Sequence, residues 1–162
     1  MATVRRHVRI NRPAAEVWAI LGDAVALPRW FPGIADARVD GAVRIVTTGA
    51  GLPMPEEIIT CDPLLRRFQY RITAPMFRHH LSTIDVIDLE DGTTLAIYGV
   101  DAEPAVLALT IGGAAGAALV HLKGILEKGE FILEQGEDRI GPRARGTDGP
   151  QDPVRHDGPT AL

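Results

Sequence analysis

Alternation of apolar and polar positions dominates the first hundred residues of this chain. In the run Arg66–Thr73, Phe68, Tyr70 and Ile72 alternate with Arg67, Gln69 and Arg71. Successive side chains of a strand point to opposite faces, so the run predicts a strand with one face inside and one in water. Thr3–Ile10, Asp36–Val39, Ala42–Thr48, Glu56–Cys61, Leu81–Leu89 and Thr93–Asp101 read as further strands. Val43, Ile45 and Thr47 share one face of theirs. Glu90-Asp91-Gly92, between the last two runs, is a hairpin signal. Gly49-Ala50-Gly51-Leu52-Pro53 reads as a loop.

Helical spacing appears after the first strand. Asn11 suits a helix cap, and Pro13 suits the first turn because it has no amide to satisfy. Glu16 falls where the helix dipole favours an acid. Val17, Ile20 and Leu21 form one apolar stripe, which Gly22-Asp23 ends. Ala24–Trp30 predicts a second short helix, stopped by Pro32-Gly33. A long helix is predicted with its core over Ala114–Glu134. Gly124 and Gly129 within it each cost about 1 kcal/mol against alanine. Either close packing on a sheet or room for a ligand beneath the helix accounts for them.

Together these elements predict an α+β protein. A curved antiparallel sheet of about six or seven strands would wrap around the long C-terminal helix, with two short helices after the first strand. That shape can enclose a cavity, and a cavity suggests a small apolar ligand.

Composition narrows the alternatives. The 162 residues carry a net charge of -4, with 46% hydrophobic and 23% charged residues. Arg5-Arg6 and Arg66-Arg67 are isolated pairs and no basic run occurs, which argues against nucleic acid. One domain is expected over residues 1–135. Residues 136–162 combine glycines and prolines with almost no large apolar side chains, and are expected to be a disordered tail. Val106–Leu122 is apolar but interrupted by Gly112, Gly113 and Gly116. It falls short of the ~20 residues of a membrane span, so it is expected to be buried, with no integral membrane association. Cys61 is the only cysteine. With an N-terminus lacking an apolar signal core, it predicts a cytoplasmic protein.

The order of elements resembles the START-like (SRPBCC) superfamily, which includes the birch pollen allergen and the polyketide cyclase/dehydrase and lipid transport family. The residues that carry it are Pro13-Ala-Ala-Glu-Val-Trp18, Leu27-Pro-Arg-Trp30-Phe-Pro, the strand Glu56–Asp62, Phe68-Gln-Tyr70-Arg-Ile72, and Asp91-Gly92-Thr93-Thr94 before Tyr98. The resemblance covers roughly Val4–Gln135. It implies a helix-grip fold that hosts binders, carriers and enzymes alike. Gly51-Leu52-Pro53, three residues before Glu56, is also similar to the gate loop of plant abscisic-acid receptors, and Arg78 lies near that family's latch arginine. In those receptors the positions matching Glu56, Tyr70 and Ile72 line the pocket. The lysine that holds the hormone's carboxylate there is missing, since this chain has Asp36-Ala37-Arg38 on that strand. The likeness therefore extends to gate geometry and not to the hormone.

Glu56 is the polar residue of most interest. The resemblance points it inward, across from Tyr70, where a carboxylate must be paired, hydrated or protonated. It could accept a ligand hydroxyl, act as general acid/base, or serve as structural partner to an arginine such as Arg44. Tyr70 and Tyr98 offer apolar rings with one polar end, suited to orienting a ligand. Trp30, Leu52, Pro53, Ile72, His79 and Leu81 complete the expected binding set. Adjacent histidines on a strand point apart, so His79-His80 do not make a metal site, and no Cys or acidic set accompanies them. No cofactor motif occurs either.

The first expectation is thus a protein that binds a small hydrophobic compound, aromatic, polyketide or lipid-like, under a lid formed by residues 49–55. The alternative is a cyclase/dehydrase enzyme with Glu56 as general acid/base and Tyr70 as a catalytic candidate. A protein-interaction module is a third reading, and a homodimer through an edge strand or the gate loop is compatible with the pattern.

Overall fold

The computed structural model describes residues 1–128. Seven strands form one antiparallel sheet: β1 (Ala2–Ile10), β2 (Ile34–Asp40), β3 (Val43–Thr48), β4 (Pro53–Asp62), β5 (Arg67–Ile72), β6 (His79–Asp88) and β7 (Thr94–Glu103). Their spatial order is β1-β7-β6-β5-β4-β3-β2. Two short helices, α1 (Ala14–Leu21) and α2 (Leu27–Trp30), follow β1, and α3 (Ala105–Lys128) closes the described chain. The expected α+β helix-grip architecture is what forms. The expected tail 136–162 lies outside the described residues.

Strand alternation sets the inner face. Phe68, Tyr70 and Ile72 are buried while Arg67 and Arg71 are exposed, as their spacing requires. On β3 the buried side chains are Arg44 and Val46, so Val43, Ile45 and Thr47 make the outer face. The β6–β7 hairpin turns at Glu90-Asp91-Gly92, where Gly92 has φ +81°, a conformation that favours glycine.

The helix ends differ from expectation. Pro13 caps α1 without a side-chain hydrogen bond. Asn11 serves instead as an anchor, its backbone N–H donating to Glu127 Oε1 at 2.8 Å. Arg12 Nε donates to the Leu126 carbonyl at 2.8 Å, satisfying an end group of α3. The connection from β1 to α1 is thereby tied to the last described turn of α3.

α3 begins nine residues before Ala114, and its expected end at Glu134 lies outside the described residues. Its 24 residues, whose most apolar 18-residue stretch has a mean hydropathy of 1.9, are long and apolar enough to cross a membrane by length and composition, which corrects the expectation of too short a segment. Ala108, Gly112, Ala115, Ala118, Leu119, Leu122 and Leu126 are its buried residues. Small residues let α3 approach β1 closely. A Cβ on Gly112 would lie 2.4 Å from Val4 Cγ1, and one on Gly116 would lie 3.1 Å from Arg6 Cδ. Close packing, and not space for a ligand, explains these two glycines. Gly124 has nothing within 4 Å, and Gly129 lies outside the described residues.

Candidate functional site

α3 packs mainly on β1 and β7, so it covers only one half of the inner face. The inner face of β3–β5 closes instead against α2, Phe31 and the N-terminal half of α3. The groove left between them has a volume of about 180 Å³. Leu27, Phe31, Ile34, Val46, Met54, Ile72, Ile111 and Ala114 give it apolar walls. Glu56, Tyr70, Tyr98, Thr48 and Thr110 supply its polar atoms.

Glu56 is buried and bound to Arg44, whose Nε donates to Oε2 at 2.6 Å. The two are cross-strand partners on β3 and β4. Arg44 is also buried, donates to the Ala24 carbonyl at 3.3 Å, and places its guanidinium 4.7 Å from the Tyr70 ring and 5.1 Å from the Phe68 ring. The aromatic faces and the carboxylate together compensate its lost hydration. Burial pushes the Glu56 carboxyl above its ordinary range, and Arg44 opposes that rise without cancelling it. Glu56 therefore holds one oxygen on the arginine while its side chain lines the groove.

Behind Glu56 runs a line of buried polar groups. The Tyr70 and Tyr98 hydroxyls form a short hydrogen bond. Ser82 Oγ lies 3.1 Å from His80 Nε2. The other ring nitrogen, Nδ1, accepts the Ile72 backbone N–H at 2.9 Å. Burial holds the His80 imidazolium down to a pKa of about 4 and pushes Tyr70 up to about 12. Tyr98 is pushed well above its usual value, again chiefly by burial.

Of the nine residues singled out from the sequence, Glu56, Tyr70, Ile72 and Tyr98 meet in the groove. The register corrects one detail: Glu56 stands opposite Ile72, and Tyr70 stands opposite Ile58. Trp30 is buried beside the groove and does not line it; its ring centroid is 5.5 Å from that of Phe31. Leu52 is 64% exposed, and Pro53 is exposed too, so neither reaches the lining. His79 and Leu81 lie on the outer face of β6 because His80 and Ser82 take the inner one. Arg78, near the latch position, pairs with Glu103 at 2.8 Å on the surface.

Phe31, Met54, Val46 and Ile111 are among the lining residues that sequence reading missed. Phe31 adjoins the Trp30 that drew attention. Val46 lay hidden because β3 carries apolar residues on both faces, with Arg44 on the inner one. A depression of about 290 Å³ on the convex face, over Gly99, is polar, and its Arg67–Asp85 and Thr3–Asp101 side chains satisfy one another. Among the described residues, no group of three His, Cys, Asp or Glu side chains is placed to hold a metal ion.

A curved sheet gripping a helix, with a groove between them, defines the START-like helix-grip class. The chain belongs to the polyketide cyclase/dehydrase and lipid transport family, whose model matches residues 1–127. Among solved structures it is similar to the protein XoxI from Bacillus cereus, with 25% identity and a TM-score of 0.71 over 76% of this chain and 94% of that one. A START superfamily protein from Mycobacterium smegmatis shares the fold at 17% identity and a TM-score of 0.60, over 81% of this chain and 98% of that one. The Zhui aromatase/cyclase from Streptomyces sp. R1128 shares it at 19% identity and a TM-score of 0.63, over 78% and 94%. No curated protein matches the chain.

Proposed function

We propose that this protein binds a compact, largely apolar compound in the groove between α3 and β3–β5. The observation that carries the reading is the lining: apolar walls closed around one buried carboxylate and two tyrosines. Burial of apolar ligand surface would contribute roughly 25 cal/mol per Å², and Glu56 and Tyr98 would fix orientation. The volume, about 180 Å³, lies below the ~300–1,000 Å³ usual for drug-sized ligands. It suits one or two fused rings better than a whole lipid.

Native mass spectrometry of protein purified from its own source tests this reading. An adduct of low mass, absent from the groove-filling variant Ala114→Phe, is the expected result. The same adduct on that variant would place the ligand elsewhere.

An enzymatic reading rests on Glu56 in particular. A carboxylate with a raised pKa, in a groove that two tyrosines also line, can exchange a proton with a bound polyketone while the walls hold its fold. The family description and the fold shared with the Zhui aromatase/cyclase lend this support. Glu56→Gln separates the two readings: an enzyme loses turnover and keeps affinity.

A further inference from the structure

The two edges of the sheet are protected in different ways. β1 forms one edge, and its charged side chains, Arg5, Arg6 and Arg9, share one sign. α3 packs on it, with Arg6 against Gly116, and Lys123 Nζ donates to the Arg9 carbonyl at 2.7 Å. β2 forms the other edge and packs on β3 and α2. Ala37 is its buried residue, so Asp36, Arg38 and Asp40 stand on the outer face and alternate in sign. Charges of one sign block the pairing of an edge with its own copy, whereas alternating charges permit it. These three side chains have no hydrogen-bond or ion-pair partner among the described residues. Elsewhere on the outer face, opposite charges of neighbouring strands do pair: Arg67 Nε with Asp85 at 2.6 Å, and Arg71 with Glu57.

Backbone phase fixes which groups the edge offers. Gly41-Ala42 is a two-residue turn, so Asp40 and Val43 close the hairpin as a hydrogen-bonded pair. Bonding alternates from there, and Asp36, Arg38 and Asp40 direct their N–H and C=O groups to β3. Ala37 and Val39 turn theirs to the open edge. The Ala42 carbonyl agrees with this phase, since it faces β4 and accepts the Ile58 N–H at 2.7 Å. An antiparallel second copy can bond only by setting these outward residues opposite one another. Centred on Ala37, the pairing overlaps all of Ile34–Asp40 and sets Asp36 against Arg38 of the second copy. Those two form a non-hydrogen-bonded pair, the closer kind, where side chains interact best. Ala37 against Val39 would instead oppose Arg38 to Arg38 and Asp36 to Asp40. Centring on Val39 overlaps only residues 38–40 and leaves Asp36 beside the turn.

We infer that β2 is a homodimerisation edge, on which a second copy of this chain pairs antiparallel about Ala37 with reciprocal Asp36–Arg38 ion pairs. The two seven-stranded sheets become one, and Val39, 40% exposed on the inner side, gains cover. The contact is isologous and closes on itself, so it makes dimers and not filaments. It does not rest on the proposed function of the groove.

Analytical ultracentrifugation of the full chain over a wide concentration range tests the inference. The wild type is expected to form a concentration-dependent dimer. Arg38→Asp and Asp36→Arg each turn both opposite pairs into like pairs, and each is expected to weaken the dimer about tenfold or more. The double exchange, Asp36→Arg with Arg38→Asp, is expected to restore it. Amide exchange at Ala37 and Val39 is expected to slow as concentration rises. A wild type that stays monomeric throughout would overturn the inference. A dimer indifferent to both charge changes would overturn it too, placing the contact elsewhere. Loss of the dimer in Arg38→Asp but not in Asp36→Arg would overturn the register about Ala37 in favour of one about Val39.

Discussion

Arg44 and Glu56 face each other across β3 and β4 and form an ion pair in which both side chains are buried. Because each buried charge is compensated chiefly by the other, removing one leaves the other stranded. Arg44→Ala or Glu56→Ala is expected to destabilise the fold by about 3–5 kcal/mol. Replacing both with apolar residues of similar volume, Arg44→Met with Glu56→Leu, is expected to cost much less than the sum of the single changes. Urea denaturation of the four proteins checks this, and additivity would refute the coupling.

Two glycines of α3 should respond in opposite ways to the same substitution. Gly112→Ala drives a Cβ to 2.4 Å from Val4 Cγ1, so α3 must shift away from β1. Overpacking of this kind costs about 1–3 kcal/mol. Gly124→Ala meets only open space and is expected to stabilise the helix by up to about 1 kcal/mol. Thermal denaturation of the two variants should move their midpoints in opposite directions.

The pH dependence of stability has a predicted sign from His80. Its folded pKa is lowered to about 4 from the ordinary 6.5. Between these values the unfolded chain binds the proton and the folded one does not. Stability is therefore full above the upper value and falls as pH drops through the window, by about 3 kcal/mol in all. Glu56 works the other way: its raised folded pKa contributes stability at low pH that is lost as pH rises beyond its ordinary 4.5. Comparing the wild type with His80→Gln isolates the histidine, whose variant is expected to show a shallower fall on acidification. Parallel pH profiles would contradict the assignment.

The fold was legible where local pattern and burial agree. β5 reads correctly because Phe68, Tyr70 and Ile72 alternate cleanly, and the β6–β7 hairpin because Asp91-Gly92 punctuates it. Glu56 was legible as an inward carboxylate only through the family resemblance. Three features were not legible, each for a physical reason. The start of α3 was hidden by Gly112 and Gly113, which lower helix propensity, although Gly112 is required for close packing on β1. The inward placement of Arg44 could not be read from its own strand's pattern and was legible only as an alternative partner for Glu56, because its burial is compensated by that carboxylate on another strand and by two aromatic faces. The role of His80 over His79 depends on strand phase, and a shift of one residue exchanges them.

The loop at residues 49–53 carries the exposed Leu52 and lies outside the groove lining. If it serves as a lid, it must fold inward on ligand binding. Amide exchange of Gly51 and Leu52 is then expected to slow on saturation with α-tetralone, and unchanged exchange would rule out a lid.

On the proposed function, the space between α3 and β3–β5 holds the ligand. Methyl NMR during titration with α-tetralone tests it most directly. Saturable shifts are expected at Val46, Met54, Ile72 and Ile111, abolished in Ala114→Phe. Saturable shifts confined to other methyl groups, or persisting in that variant, would contradict it.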